Sequence, residues 1–146
     1  LGLARVYFSA FRPVADTPLD NVAPTNDMRR IRLYQASFLI RDYGFGLEEM
    51  PFTASGNLPL HVDPKRAWAE ANLREAPLEV NTATRQELLR VPGIGAKGAE
   101  RIVAARRGGK LHSLSDLRSA GVVNVERAAA YLLLDGQRPI EQPRLF

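Results

Sequence analysis

Apolar residues recur at helical spacing along most of the chain, and this pattern predicts a mainly α protein. The first helix is expected from residue 27 to 43, with Gly44 suited to its C-terminal cap. Its apolar positions are Ile31, Leu33, Tyr34, Phe38 and Leu39. A second helix is expected from Asp63–Pro64 to about Leu73, with Trp68 as its main apolar anchor.

The N-terminal residues break this helical pattern. Residues 6–11 are β-branched and aromatic and end at Arg12–Pro13, so they predict a buried strand. The proline-containing stretch 12–26 predicts a loop. Residues 1–76 therefore form a strand-loop-helix segment in this interpretation.

Residues 77–136 predict two helix-turn-helix pairs in succession. In the first, Thr84 and Glu87 form a capping box, residues 92–95 read Pro-Gly-Ile-Gly, and a helix follows over 96–107. In the second, Ser113 with Asp116 caps a helix, residues 120–124 make the turn, and a last helix runs from 125 to about 134. The expected shared core comprises Leu88, Ile102, Val103, Leu114, Leu117, Ala129 and Leu132. Residues 137–146, with two prolines, are expected to form a tail.

Charge adds a functional hint, because the whole net charge of +4 arises in one segment. Residues 77–110 hold seven basic and three acidic side chains, whereas the flanking regions balance to zero. A localised basic surface is typical of proteins that bind polyanions, although it is also compatible with a solvated helical face.

The turn at residues 92–95 is the candidate binding site. Glycine permits positive φ and close approach, so Gly93 and Gly95 can direct successive N–H groups into an anion-binding concavity. The helix that follows adds unpaired N–H groups and the positive end of its dipole. The predicted phosphate-binding residues are Gly93, Ile94, Gly95, Ala96, Lys97, Gly98 and Arg101.

These donors predict a particular mode of DNA binding. Backbone amides and flexible cations suit phosphates, which carry no sequence information. No Phe, Trp or Tyr lies between Leu78 and Tyr131, which argues against a stacking platform for single strands. Duplex DNA is therefore the expected partner. The second turn has one glycine and no following lysine, so this degenerate hairpin is expected to be a packing partner.

Two other function classes stay open. Asp116 follows the first turn at a distance that suits a glycosylase aspartate, and Lys97 or Lys110 could act as a lyase nucleophile. Asp116, however, also occupies a helix N-terminus, where a carboxylate binds free amides, and no catalytic residue is assigned. The third class is a protein-interaction module with an acidic partner.

Composition excludes further classes. The chain contains no cysteine and two distant histidines, so no metal site is expected. No apolar run is long enough to cross a membrane, and a cytoplasmic location is the default expectation. The chain begins with Leu rather than Met, from which we expect a fragment or a processed chain.

Residues 78–135 resemble the helix-hairpin-helix family, in the tandem form of competence DNA-uptake receptors. The resemblance rests on residues 80–83, Leu88, the 92–95 turn, Ala99, Ile102 and Arg106. It implies DNA binding without sequence preference through hairpin amides, with Gly93, Gly95 and Lys97 at the matching positions. The degenerate second hairpin departs from the stronger receptors.

Residues 1–76 resemble the C-terminal region of radical S-adenosylmethionine proteins of DNA modification or repair. The resemblance rests on segments 6–13, 16–18, 32–36, 43–45, 56–60 and 63–65. It implies that the predicted strand belongs to a β/α barrel whose other strands lie upstream, and that the missing barrel domain is a partner. The iron-sulfur cluster and S-adenosylmethionine are implied only for that upstream region, because this chain has no cysteine.

Overall fold

The computed structural model describes residues 2–140, and the chain separates into two compact units, Leu1–Pro64 and Lys65–Phe146. The predicted mainly α fold is confirmed. The helices are α1 (Asp27–Asp42), α2 (Pro64–Asn72), α3 (Arg85–Leu88), α4 (Ala96–Ala105), α5 (Leu114–Ala120) and α6 (Val125–Ala128), with 3-10 turns at Leu47–Glu49 and Ala129–Tyr131. Within residues 2–140, none of the helices is both long enough and apolar enough to span a membrane.

The first unit corrects the predicted N-terminal strand. Residues 6–11 lack strand structure, and Val6 and Tyr7 are 52% and 78% exposed. The segment is tethered through Phe8, whose N–H donates to the Tyr34 hydroxyl at 2.9 Å. Strand composition alone does not make a strand, because each backbone group needs a partner, and no neighbouring strand in residues 2–140 offers one to this segment.

Helix α1 forms over nearly the predicted range but buries only one of the predicted apolar positions, Leu39. Asn26 caps it by accepting a hydrogen bond from the Met28 N–H. Its buried residues are Ala36 and Leu39, whereas the predicted apolar positions Tyr34 and Phe38 are 38% and 43% exposed. The remaining buried apolar residues of this unit are Phe45, Met50 and Leu58. The core is thus small, and aromatic side chains of α1 stay at the surface.

The second unit contains the two predicted helix-turn-helix pairs, α3–α4 and α5–α6. Both predicted capping boxes are present, at Thr84–Glu87 and Ser113–Asp116. The pairs share a core whose apolar side chains without solvent exposure include Leu88, Val91, Ile94, Ile102, Leu117 and Leu132. Of the predicted core residues, Val103 and Leu114 are only partly buried. Two short pairs thereby form one core, which neither could form alone.

The last predicted helix ends early, and this is a second correction. After Tyr131 the chain becomes a strand, β2 (Leu132–Leu133), which pairs in parallel with β1 (Leu78–Glu79). The Val80 N–H donates to the Leu133 carbonyl at 2.9 Å, which extends this pairing. If the helix continued past Tyr131, the chain would lose the β1–β2 pairing, the Val80–Leu133 hydrogen bond and the burial of Leu132. This β1–β2 pairing, called the clasp below, therefore holds the two ends of the hairpin region together.

The Glu79 carboxylate reinforces this clasp. It accepts hydrogen bonds from the N–H groups of Asn81, Asp135 and Gly136, so one side chain spans the entry and exit of the region. The side chain of Asn81 extends the connection, since its amide donates to the Leu111 carbonyl and accepts from the Leu111 N–H. Burial acts to raise the pKa of Glu79, but these hydrogen bonds outweigh it and hold the pKa below its ordinary value.

This clasp predicts acid sensitivity of the second unit. The lowered pKa means that Glu79 stabilises the fold above its unfolded-state pKa of 4.5, and the stabilisation is lost as pH falls through the lower folded-state value. We expect Glu79→Gln to cost about 1–2 kcal/mol at pH 7 and to flatten the decline in stability below pH 4.5.

Urea unfolding at a series of pH values, followed by fluorescence of the single tryptophan in the second unit, Trp68, measures both effects. The matched control is Glu75→Gln, which removes an exposed carboxylate nearby in sequence. Equal pH profiles for the two variants would contradict the assigned role of Glu79.

Candidate nucleic-acid interface

The conformation of the turn between α3 and α4 is fixed by contacts within the protein. Gly93 adopts φ +85°, a left-handed conformation that an L side chain rarely adopts. The next N–H, that of Ile94, donates to the Val91 carbonyl at 3.1 Å, and the Ile94 side chain is fully buried. Ile94 therefore anchors the turn in the core. Its own amide is committed to the turn rather than exposed to a ligand.

Gly93 also meets the second hairpin directly. A Cβ at this position would lie 2.5 Å from the backbone oxygen of Asn124 and 3.1 Å from the Cβ of Arg127. No side chain can therefore occupy position 93 unless the two hairpins move apart. The expectation that the second hairpin serves as a packing partner is consistent with this contact.

The unpaired amides begin at Gly95, the N-cap of α4. The N–H groups of Gly95, Ala96, Lys97 and Gly98 donate to no residue within 2–140, whereas the Ala99 N–H makes the first helical hydrogen bond, to the Gly95 carbonyl. Gly95 has φ −96° and ψ −174°, an extended conformation open to any residue. The concavity predicted from two glycines thus depends on the positive φ of Gly93 alone, and the start of α4 supplies the donors.

Most of the basic side chains of 77–110 have partners inside the protein. Arg106 donates to the carbonyl groups of Val80 and Ala83, and Arg101 donates to the Gly121 carbonyl at 2.9 Å. Arg85 and Lys110 pair with Glu100 and Asp135, respectively. Two of the seven basic side chains are therefore balanced by carboxylates, and two arginines keep their charge but are held by main-chain carbonyl groups.

Lys97 is the exposed cation at the start of α4. Its side chain forms no hydrogen bond or ion pair with any described residue, and its own backbone N–H is one of the four unpaired amides. Arg101, the other predicted phosphate ligand with a cationic side chain, is exposed but donates to the Gly121 carbonyl in the second turn. Its contact with DNA stays a prediction.

Helix α2 contributes a residue that the sequence analysis did not assign to the site. The Lys65 ammonium donates to the Ile94 carbonyl at 2.6 Å, directly before the unpaired amides. The same helix is anchored by Trp68, whose ring lies 5.2 Å below the Arg90 guanidinium, and by Glu70, which accepts from the Tyr131 hydroxyl. The nearest sequence signal was the helix start at Asp63–Pro64, which gives no indication of the partner.

The candidate catalytic groups have other partners. The hydrogen bond from the His112 N–H, together with those from Ser113, lowers the pKa of Asp116, whose carboxylate completes a capping box. The hydrogen bond to Asp135 raises the pKa of Lys110, which keeps its amine protonated. Asp116 therefore caps a helix, and Lys110 forms an ion pair with Asp135.

Comparison with known families identifies the hairpin region. Residues 75–132 match a family model described as a helix-hairpin-helix motif. No curated protein and no solved structure is significantly similar to the chain. The two hairpins described above lie within this matched segment, and the helix-hairpin-helix motif in general mediates DNA binding without sequence preference.

The contact between Gly93 and Asn124 predicts a large cost for any side chain at position 93. We expect Gly93→Ala to destabilise the second unit by about 2–5 kcal/mol, because the left-handed backbone costs about 1–2 kcal/mol and the steric overlap about 1–3 kcal/mol more. Urea unfolding followed by Trp68 fluorescence measures this loss in the free energy of unfolding.

Gly98→Ala is the matched control. A Cβ there would lie 3.6 Å from Ile94 Cγ2, an ordinary contact, and alanine favours helix. We expect this variant to differ from the parent by no more than about 1 kcal/mol. A Gly93→Ala protein as stable as Gly98→Ala would show that the hairpins are not in close contact.

Proposed function

We propose that the helix-hairpin-helix domain binds duplex DNA through its phosphate backbone, without reading the base sequence. The observation that carries this proposal is a run of four N–H groups at the N-terminus of α4, from Gly95 to Gly98, that have no partner among residues 2–140. The exposed Lys97 ammonium adds a full charge at the same place.

The chemistry of the site suits a phosphate group. Successive amides at a helix start provide several donors and a positive dipole, and a phosphate has several acceptor oxygens to meet them. Contacts of this type fix the position of a duplex but carry no sequence information. The first turn therefore provides affinity, while the second turn supports it.

We propose that this chain is a binding module and not a catalyst. In support, the Asp116 oxygens accept hydrogen bonds from two backbone N–H groups, and Lys110 is ion-paired. Incubation with DNA containing an abasic site and borohydride tests this, since a trapped covalent adduct would reveal a lyase.

The wider context is also a proposal. The resemblance of residues 1–76 to radical S-adenosylmethionine proteins supports a DNA repair or modification role in a longer parent protein, and the tandem hairpin form supports a DNA-uptake role as the alternative. No residue here fits an iron-sulfur cluster, because the chain lacks cysteine. The coding sequence upstream of Leu1 distinguishes the repair or modification role from the DNA-uptake role. A radical S-adenosylmethionine parent requires a Cys-x3-Cys-x2-Cys pattern there. A cytoplasmic location stays a prediction.

Replacement of Lys97 tests the DNA-binding face. We expect Lys97→Ala to weaken binding to all duplex sequences alike, with the slope of log K against log salt reduced by about 0.9, the value for one lost phosphate contact. Fluorescence anisotropy with several unrelated duplexes at a series of salt concentrations measures both quantities.

The matched control is Arg107→Ala. It removes another exposed cation, which lies past the C-terminal end of α4 and roughly 15 Å from Lys97 at the rise of an α-helix. Equal effects of the two substitutions would indicate diffuse attraction rather than a contact at the hairpin. Binding of an acidic protein in place of duplex DNA would support the alternative, a protein-interaction module.

A further inference from the structure

The contact between Lys65 and the hairpin carbonyl has a consequence for the adjoining peptide group. The Ile94 carbonyl and the Gly95 N–H belong to one peptide unit, and no peptide bond among residues 2–140 is cis. In a trans peptide the C=O and N–H bonds point in opposite directions. An ammonium bound to the carbonyl at 2.6 Å therefore directs the Gly95 N–H to the side away from α2.

The lysine also strengthens this donor. A charged partner on a carbonyl oxygen polarises the whole amide, so that its N–H becomes a better hydrogen-bond donor. Gly95 is the first of the four unpaired amides, so this peptide unit begins the row of donors. The orientation of this peptide unit decides which of its two groups lies beside the other three amides. An N–H there would bind a phosphate, whereas a carbonyl would repel it.

Helix α2 is fixed well enough for Lys65 to act in this way. Ala69 has no solvent exposure, and Trp68 lies beneath the Arg90 guanidinium of the α3–α4 connection. The Tyr131 hydroxyl binds Glu70, which ties α2 to the end of the second hairpin. The lysine itself is partly buried, so its backbone and much of its side chain are held by packing.

From these contacts we infer that Lys65 is a positioning residue for phosphate binding, which orients and polarises the Ile94–Gly95 peptide. The functional module consequently starts at Lys65 in α2, upstream of the segment 75–132 that matches the family. This inference rests on the proposed DNA-binding function. It assigns to Lys65 no contact with DNA of its own.

The test compares Lys65→Met with Lys65→Arg in the full chain. Methionine keeps the apolar stem but removes the donor, whereas arginine restores a charged donor for the carbonyl. We expect Lys65→Met to weaken duplex binding about tenfold, the scale of one charge-assisted hydrogen bond, with an unchanged salt slope, and Lys65→Arg to recover most of the loss. Urea unfolding followed by Trp68 fluorescence, at the temperature of the binding assay, verifies that every variant is folded there.

A second measurement does not depend on DNA. In the ¹⁵N-labelled free protein, Lys65→Met should move the Gly95 amide resonance, and titration with inorganic phosphate should shift that resonance less than in the parent chain. Parental duplex affinity in Lys65→Met would overturn the inference, and so would a salt slope reduced by about 0.9, which would make Lys65 a direct phosphate ligand. A parent chain that fails to bind duplex would instead overturn the proposed function, while the Gly95 resonance would still report on positioning.

Discussion

The approach of the first hairpin to the second, at the contact between Gly93 and the Asn124 backbone oxygen, is the constraint on which the second unit depends. A position that admits no Cβ allows two turns to touch through main-chain atoms. Next to this contact, the Ile94 side chain is fully buried, while Lys97 at the start of α4 is exposed. The geometry of the candidate site is therefore determined by packing between hairpins as much as by the turn itself.

The remaining contacts hold that arrangement from outside. The parallel pairing of β1 with β2 and the Glu79 hydrogen bonds connect the two ends of the hairpin region. On the other side, α2 connects to the first turn through Lys65 and to the second hairpin through Glu70. A core built from helices this short needs such external connections, since short helices have little stability of their own.

The sequence predicted those features that depend on neighbouring residues. Capping boxes at Thr84 and Ser113, the tight turn at Gly93 and the start of α4 all follow from local hydrogen bonding and backbone freedom, and all are present. The strand at residues 6–11 was wrong because strand formation needs a partner that composition does not reveal. The early end of the last helix and the Lys65 contact were missed for the same reason, since each joins residues far apart in the chain.

The residues predicted to bind phosphate have different structural settings. The N–H groups from Gly95 to Gly98 and the Lys97 side chain have no partner within residues 2–140, whereas Ile94 and Arg101 have partners inside the protein. That these residues bind phosphate stays a prediction. Because the second turn meets Gly93 with a main-chain oxygen, position 124 is constrained in its conformation and not in its side chain. The supporting hairpin can then diverge in sequence at its exposed turn while keeping its mechanical role, so loss of a recognisable motif in one repeat need not mean loss of the repeat's contribution to binding.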